Sequence, residues 1–159
     1  MTDHERFMAE ALGQARLARD LGEVPIGAVL VVDGAVVARG FNQPIRSVDP
    51  TAHAEIVAIR AGAAVVGNYR LTDATLYVTV EPCLMCVGAC VHARIGTIVY
   101  GTPEPRTGAL ESTARAAELP GHNHRVAVVG GVMAESCREL MQEFFRERRG
   151  RRPSDVAES

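Results

Sequence analysis

The sequence contains no tryptophan, and aromatic residues make up only 4% of its 159 positions. The hydrophobic core must therefore be aliphatic, built from alanine, valine, leucine and isoleucine. Long apolar runs are also absent, since the longest, residues 26–32, is far short of the ~20 residues that a membrane span needs. Residues 1–7 do not resemble a signal peptide. We therefore expect a cytoplasmic protein without a membrane span.

The chain has no excess of positive charge, because its formal net charge is −2. A nonspecific nucleic-acid binder is usually basic overall, so the composition gives no support for extended binding to a nucleic-acid backbone. A local basic cluster is nevertheless present near the end of the chain: Arg146, Arg148, Arg149, Arg151 and Arg152. It is either a solvated helix end, where cations suit the helix dipole, or a nucleic-acid contact.

The length and the cysteine content indicate one reduced domain. A chain of this size buries roughly 70% of its unfolded surface and needs no disulfide to be stable. Four cysteines, two of them in a C-x-x-C motif, therefore favour metal binding or catalysis over disulfide formation. We predict one domain over residues 1–149 and a disordered polar tail over residues 150–159.

The apolar periodicity predicts strands that alternate with helices. Thr2 and Glu5 form a capping box for a first helix that ends near Gly22, and Asp33-Gly34 predicts a two-residue hairpin turn. The predicted strands cover residues 26–32, 35–41, 75–80, 95–100 and 126–129. Together with the helices, they predict a three-layer α/β/α sandwich with a mixed five-stranded sheet.

Three further helices are predicted along the chain. The first begins after Thr51 as its N-cap and ends near residue 66, and the second has Pro82 at its first position and ends near residue 92. The third covers residues 134–149, with Leu140, Met141, Phe144 and Phe145 on its inner face. Gly101 is expected to close the fourth strand, and a short helix is expected near residues 112–118.

Two short segments carry the residues of a predicted metal site. They are His53-Ala54-Glu55 and Pro82-Cys83-Leu84-Met85-Cys86, and each is expected at the start of a helix. Zinc favours thiolate sulfur and imidazole nitrogen in a tetrahedral arrangement, and cysteines three residues apart share one helical face. Three protein ligands leave one position for water, which is typical of a catalytic rather than a structural zinc site.

Two neighbouring residues have alternative interpretations. Cys90 lies roughly 10 Å along the helix from Cys83, so we interpret it as a buried apolar residue and not as a ligand. Glu55 is interpreted as the proton-transfer group, with a simple first-turn acid and a fourth zinc ligand as alternatives. Residues two apart do not share a helical face, so Glu55 reaches the ion only if the ion sits beyond the helix end.

The combination H-x-E and P-C-x-x-C is a signature of zinc deaminases. The sequence resembles the cytidine-deaminase-like superfamily and, within it, bacterial tRNA-specific adenosine deaminases. The resemblance spans about residues 5–149 and is carried by residues 23–29, 49–56, 68–71, 74–79, 81–86, 93–96, 123–126 and 144–146.

The resemblance implies a cytidine-deaminase-like fold and hydrolytic conversion of the wobble adenosine of a tRNA anticodon loop into inosine. It implies that one zinc ion per subunit is held by His53, Cys83 and Cys86, and that Glu55 transfers protons. It also implies a homodimer. We expect the substrate to be contacted by Asn42, Ala54 and His124.

Some features leave other functions open. The loop after the fourth strand has Pro103-Glu104 where many relatives carry a basic–acidic pair, and Leu110-Glu111 where many have a glycine before the serine. The first alternative is a deaminase of free guanine, cytosine or a nucleoside. Arg94 and the motifs at residues 123–125 and 144–146 favour the tRNA type over this alternative. The second is a non-catalytic zinc-stabilised module, which has no use for Glu55.

Overall fold

A computed structural model describes residues 1–150, so the tail predicted over residues 150–159 lies outside the described residues except for Gly150. The helices are α1 (Asp3–Asp20), α2 (Pro44–Ser47), α3 (Ala54–Val66), α4 (Leu84–His92) and α5 (Ala134–Arg149), with one 3₁₀ turn at Ala116–Glu118. The strands are β1 (Gly27–Val32), β2 (Ala35–Phe41), β3 (Thr75–Val80), β4 (Thr97–Thr102) and β5 (Ala127–Val129). None of the described helices is both long enough and apolar enough to cross a membrane.

The five strands form one mixed sheet in the order β2-β1-β3-β4-β5, which confirms the predicted sheet. Strand β1 is antiparallel to both of its neighbours, whereas β3, β4 and β5 run parallel. Strands β2, β3 and β4 therefore all point the same way. Their carboxyl ends meet at one edge of the sheet, where the amino end of β1 also lies.

Helices cover both faces of this sheet. Alternate residues of a strand point to opposite faces, and β1 shows the result directly. Val29 and Val31 pack with α1 and α5, while Ala28 and Leu30 pack with α3 and α4. The two resulting cores are mainly aliphatic, as the composition predicts. Each core lies between the sheet and one layer of helices, which gives the three layers of the sandwich.

The first helix and the first hairpin form as predicted. The Glu5 backbone N–H donates to the Thr2 hydroxyl oxygen at 3.1 Å, and the Thr2 N–H donates to the Glu5 carboxylate at 3.0 Å. Asp33 and Gly34 have φ angles of 51° and 76°. Two consecutive positive φ values are those of a type I′ turn, whose twist matches that of the flanking strands.

Two predicted helix starts are wrong by two residues each. Helix α3 begins at Ala54, because Thr51 donates its hydroxyl and its N–H to the Asp49 carboxylate, at 2.7 and 2.9 Å, and caps no helix. Helix α4 begins at Leu84, so Pro82 precedes the N-cap and does not occupy the first helical position. In both cases the N-cap position falls to a predicted metal ligand.

The fourth strand and the region after it also differ from the prediction. Strand β4 begins and ends two residues later than predicted, and Gly101 lies inside it. A side chain at Gly101 would collide with the Cys137 sulfur of α5, so the glycine allows that helix to approach the sheet. The short helix predicted near residues 112–118 is a single 3₁₀ turn, and the short helix α2 was not predicted at all.

Candidate metal centre and active site

The segments that carry the predicted site converge at the edge where β2, β3 and β4 end. Asn42 follows β2 directly, and Cys83 follows β3 after two residues. The chain returns from Asn42 through α2 to His53, whose helix α3 packs on β2 and also contacts α4. Two helix amino ends, which carry the positive ends of the helix dipoles, therefore meet at this edge.

His53, Cys83 and Cys86 form the one group of metal-binding side chains found among residues 1–150. Their ligand atoms all lie within 4.8 Å of one another. His53 is the N-cap residue of α3 and Cys83 that of α4, and neither uses its side chain to cap its own helix. Both side chains are therefore free to face a ligand beyond the helix ends.

The distances within this group suit zinc. The Nδ1 atom of His53 lies 3.6 Å from the Cys83 sulfur and 3.5 Å from the Cys86 sulfur. Tetrahedral zinc, with Zn–S bonds of about 2.3 Å and Zn–N bonds of about 2.0 Å, separates sulfur from nitrogen by about 3.5 Å. The three donors are thus spaced as a single ion requires.

The electrostatics of the group also suit a cation. A hydrogen bond from Cys86 lowers the pKa of the Cys83 thiol to about 4. The pKa of the Cys86 thiol is raised, because Cys86 donates that hydrogen bond and because it is buried. The hydrogen bond to Cys83 raises the pKa of His53 against the opposing effect of burial. Deprotonating both thiols would place two negative charges side by side, and a divalent cation removes that repulsion.

Glu55 lies beside this group and is only 4% exposed. Burial raises the pKa of its carboxyl group, while its own backbone N–H and the nearby His53 act to lower it. Its oxygens do not belong to the clustered donor set of the described residues. It is therefore neither a solvated first-turn acid nor placed as a fourth ligand, and its carboxyl group faces the metal donors from within the protein.

An inner cavity of about 210 Å³ opens onto these groups. Its wall includes His53, Glu55 and Cys83 on one side and Met141 and Phe145 of α5 on the other. It is continuous with an outer groove of about 720 Å³, which shares five lining residues with it. The groove adds three arginines to its wall: Arg106, Arg138 and Arg149.

Comparison with known proteins identifies the family. The family model described as the cytidine and deoxycytidylate deaminase zinc-binding region matches residues 1–102. The tRNA-specific adenosine deaminase of Haemophilus influenzae is 47% identical over 146 residues, covering 91% of this chain and 84% of that protein. The chain belongs to the tRNA-specific adenosine deaminases of this zinc-binding deaminase family. The enzyme of the same name from Agrobacterium fabrum is 45% identical over 149 residues, covering 94% of this chain and 98% of that protein.

A solved structure from a study of A-to-I editing by tRNA:A34 deaminases supports the same family. It superposes with a TM-score of 0.83 at 45% identity, covering 85% of this chain and 98% of that one. The matched family region is zinc-binding, and the donor set of one subunit suits one zinc ion. The predicted fold, family and cofactor are confirmed.

Two of the three predicted substrate contacts of this deaminase lie in or next to the segments that carry the predicted metal ligands, although neither is part of the lining of the inner cavity. Asn42 is buried at the ligand edge, with its N–H donating to the Ile26 carbonyl at 2.9 Å. Ala54, fully buried, lies between His53 and Glu55 in the chain. Their roles toward the substrate stay predictions.

His124 lies elsewhere. Its ring nitrogen Nε2 bonds to the Ile95 carbonyl at 2.7 Å, near the amino end of β4. A six-residue strand spans on the order of 20 Å, so His124 is about that far from the cavity within one subunit. Its predicted substrate contact would have to involve a distant part of the RNA or a second subunit.

Sequence reasoning missed several residues of the deaminase cavity. Glu81, Glu104 and Thr107 line it, but none of them was predicted as a site residue. Glu81 was noted only as part of the motif at residues 81–86, and Glu104 only as a departure from the family. Phe145 was predicted to face the core with Leu140 and Phe144, but it is 40% exposed and forms part of the cavity wall. Helical periodicity predicts which side of a helix packs against the protein. Phe145 lies at the edge of that side, where burial or exposure depends on the neighbouring elements of the fold.

Proposed function

We propose that the protein converts adenosine at wobble position 34 of a tRNA anticodon into inosine by hydrolysis. The observation that carries the proposal is the buried Glu55 carboxyl group beside a His/Cys/Cys donor set at the base of a cavity. Its relatives at 42–47% identity, which carry the name tRNA-specific adenosine deaminase, support this substrate.

In this proposal His53, Cys83 and Cys86 hold the zinc ion. When bound, zinc supplies a Lewis acid that brings the pKa of a coordinated water molecule down toward ~7. Glu55 accepts the proton that water loses and gives it to N1 of adenine as the water oxygen bonds to C6. Glu55 then takes the remaining proton from the new hydroxyl group at C6 and gives it to the amino group. The bond between C6 and the amino nitrogen breaks, so that adenosine and water become inosine and ammonia.

Asn42 and Ala54 are proposed to hold the base. The Asn42 carboxamide offers both a donor and an acceptor, which suits the polar edge of a purine. Because the cavity is narrow and its acid is buried, the target base has to leave its stack to reach it. This costs a few kcal/mol and favours a loop over a duplex, as in an anticodon.

The outer groove is the proposed path of the RNA strand. Arg106, Arg138 and Arg149 can contact phosphates, and the half-exposed Phe145 ring lies where the groove enters the inner cavity. This favours the nucleic-acid interpretation for Arg149, the member of the described arginine cluster that lines the groove. Glu104 places a carboxylate in the same wall, which opposes phosphate binding locally.

We further propose a cytoplasmic homodimer. Leu84, within the second ligand segment, and Val48, five residues before His53, are 62% and 90% exposed, and they are the apolar side chains proposed for the subunit contact. The free thiols, two of them metal ligands, suit a reducing compartment. Sedimentation of wild type and Leu84→Glu tests the dimer, and a dimeric variant of wild-type stability would contradict this contact.

Incubation of the purified protein with an anticodon stem-loop containing A34 tests the substrate. We expect one inosine and one ammonia per stem-loop, and no ammonia from a matched stem-loop with guanosine at position 34. Free adenosine, guanine and cytosine are assayed in parallel. Turnover of a free base or nucleoside with no reaction on the stem-loop would favour the alternative deaminase, and no turnover of any substrate would favour a non-catalytic zinc module.

A further inference from the structure

Glu81 has a buried carboxylate that no step of the proposed reaction uses. It is 3% exposed and stands two residues before the ligand Cys83. The donors to this carboxylate are the N–H groups of Glu104 at 3.1 Å, Leu110 at 3.1 Å, Glu111 at 2.8 Å and Ser112 at 2.9 Å, and the Ser112 hydroxyl. All five donors come from residues 104–112, which we call the wall segment.

This number of donors requires a carboxylate. An ionised carboxyl group has about four lone-pair sites and only accepts hydrogen bonds, so five donors saturate it. A glutamine at the same place accepts through one oxygen only and adds two donors of its own. It would leave buried N–H groups without partners, which destabilises the contact between Glu81 and the wall segment.

A second set of contacts joins the wall segment to the chain around Glu81. A side chain at Gly108 would collide with the Glu81 carboxyl group, so the wall segment approaches Glu81 with bare backbone. Gly108 also forms a β-bridge with Cys83, and the Ala109 N–H donates to the Pro82 carbonyl at 2.9 Å. The wall segment therefore follows the chain from Glu81 to the metal ligand.

The wall segment also faces the substrate. Its residues Glu104 and Thr107 line both the inner cavity and the outer groove, opposite Met141 and Phe145 of α5. The width of the cavity beside the metal donors thus depends on where Glu81 holds this segment.

We propose that Glu81 is a positioning residue, which fastens the wall segment against the second ligand segment and thereby fixes the substrate-facing wall of the inner cavity. The choice of RNA as the assay substrate rests on the proposed function, whereas the positioning itself does not. When the wall is in place only part of the time, the apparent affinity falls by that fraction, and the turnover of bound substrate is unchanged.

The test compares Glu81→Gln with Glu118→Gln, a matched change at an exposed glutamate. We expect Glu81→Gln to raise KM for the A34 stem-loop about 10-fold, with kcat within about twofold and one zinc per subunit retained. Hydrogen exchange should become faster at the backbone amides of residues 104–112. Glu118→Gln should leave KM, kcat, zinc content and exchange as in the wild type.

Two further variants protect the test against a folding defect. Ser112→Ala removes a single donor and should shift KM and exchange in the same direction by a smaller amount. Gly108→Ala adds a methyl group that collides with the Glu81 carboxyl group, so it should displace the wall segment and reproduce the effect of Glu81→Gln. The KM of the double variant should exceed that of either single variant by no more than about twofold, because both substitutions disrupt the same contact between Glu81 and the wall segment.

Unchanged KM together with unchanged exchange at residues 104–112 in Glu81→Gln would overturn the proposal. Loss of zinc in parallel with the rise in KM would also overturn it, since Glu81 would then support the metal ligands and not the wall. If the wild type fails to convert the stem-loop, the proposed function fails, and the exchange and zinc measurements still decide the role of Glu81.

Discussion

The Nδ1 atom of His53 lies 3.5 Å from the sulfur of Cys86, although 33 positions separate the two residues in the chain. The fold creates this proximity by bringing the amino ends of α3 and α4 together where the parallel strands end. Because each helix supplies its own N-cap residue as a predicted metal ligand, a small shift of either helix would change the spacing of the donors. The metal site therefore reports on the packing of the two helices.

Replacement of Cys86 by serine should abolish stoichiometric zinc binding, since a hydroxyl group is a far weaker ligand for zinc than a thiolate. Cys90→Ala is the matched control on the same helix. Burial raises the pKa of the Cys90 thiol, which keeps it protonated and unsuited to metal binding. Elemental analysis should find no zinc in the first variant and one ion per subunit in the second. Full zinc content in Cys86→Ser would contradict the ligand assignment.

Replacement of Glu55 by glutamine should leave zinc and fold intact while turnover falls by at least about 10³-fold. The amide keeps the size of the side chain but cannot carry the proton, and general acid–base catalysis contributes about 10²–10⁴-fold. Single-turnover measurement of inosine, with zinc content measured on the same sample, checks this. A wild-type rate would remove Glu55 from the mechanism.

Removal of zinc by a chelator should lower the melting temperature. A ligand present at about 1,000 times its Kd contributes about 4 kcal/mol to the native state, which corresponds to a shift of about 10 °C for a domain of this size. Calorimetry with and without chelator measures the shift, and Cys86→Ser should show none. Equal melting temperatures for the wild type in both conditions would mean that no zinc stabilises the native fold.

Replacement of Arg149 by alanine should weaken RNA binding and reduce its dependence on salt. Each phosphate contact that is lost lowers the slope of log K against log salt by about 0.7 for a single strand. Arg6→Ala is the matched control, because Arg6 lies on α1 and pairs with Asp3. Fluorescence anisotropy at several salt concentrations measures both slopes. An identical slope for Arg149→Ala and the wild type would place the RNA outside the groove.

Local patterns predicted the elements of this fold well where the signal lies within a few residues. The capping box at Thr2, the hairpin at Asp33-Gly34 and the bounds of β2, β3 and α5 all follow from neighbouring side chains. The starts of α3 and α4 were wrong, because Thr51 is engaged by Asp49 and Pro82 stands outside its helix. Local hydrogen bonds that compete with helix capping in this way produce no periodic pattern in the sequence.

The sequence by itself determined the chemistry of the centre. Cys83 and Cys86 stand three residues apart, and the His-x-Glu segment places an acid two residues from a histidine, so the two motifs together predict which donor types and which acid belong to the site. Only the tertiary structure decided what surrounds it. Glu81, the wall segment and Phe145 meet through contacts between parts of the chain that are more than 20 residues apart. Such contacts depend on how the layers pack against each other, and packing across the sheet leaves no pattern in any short stretch of sequence.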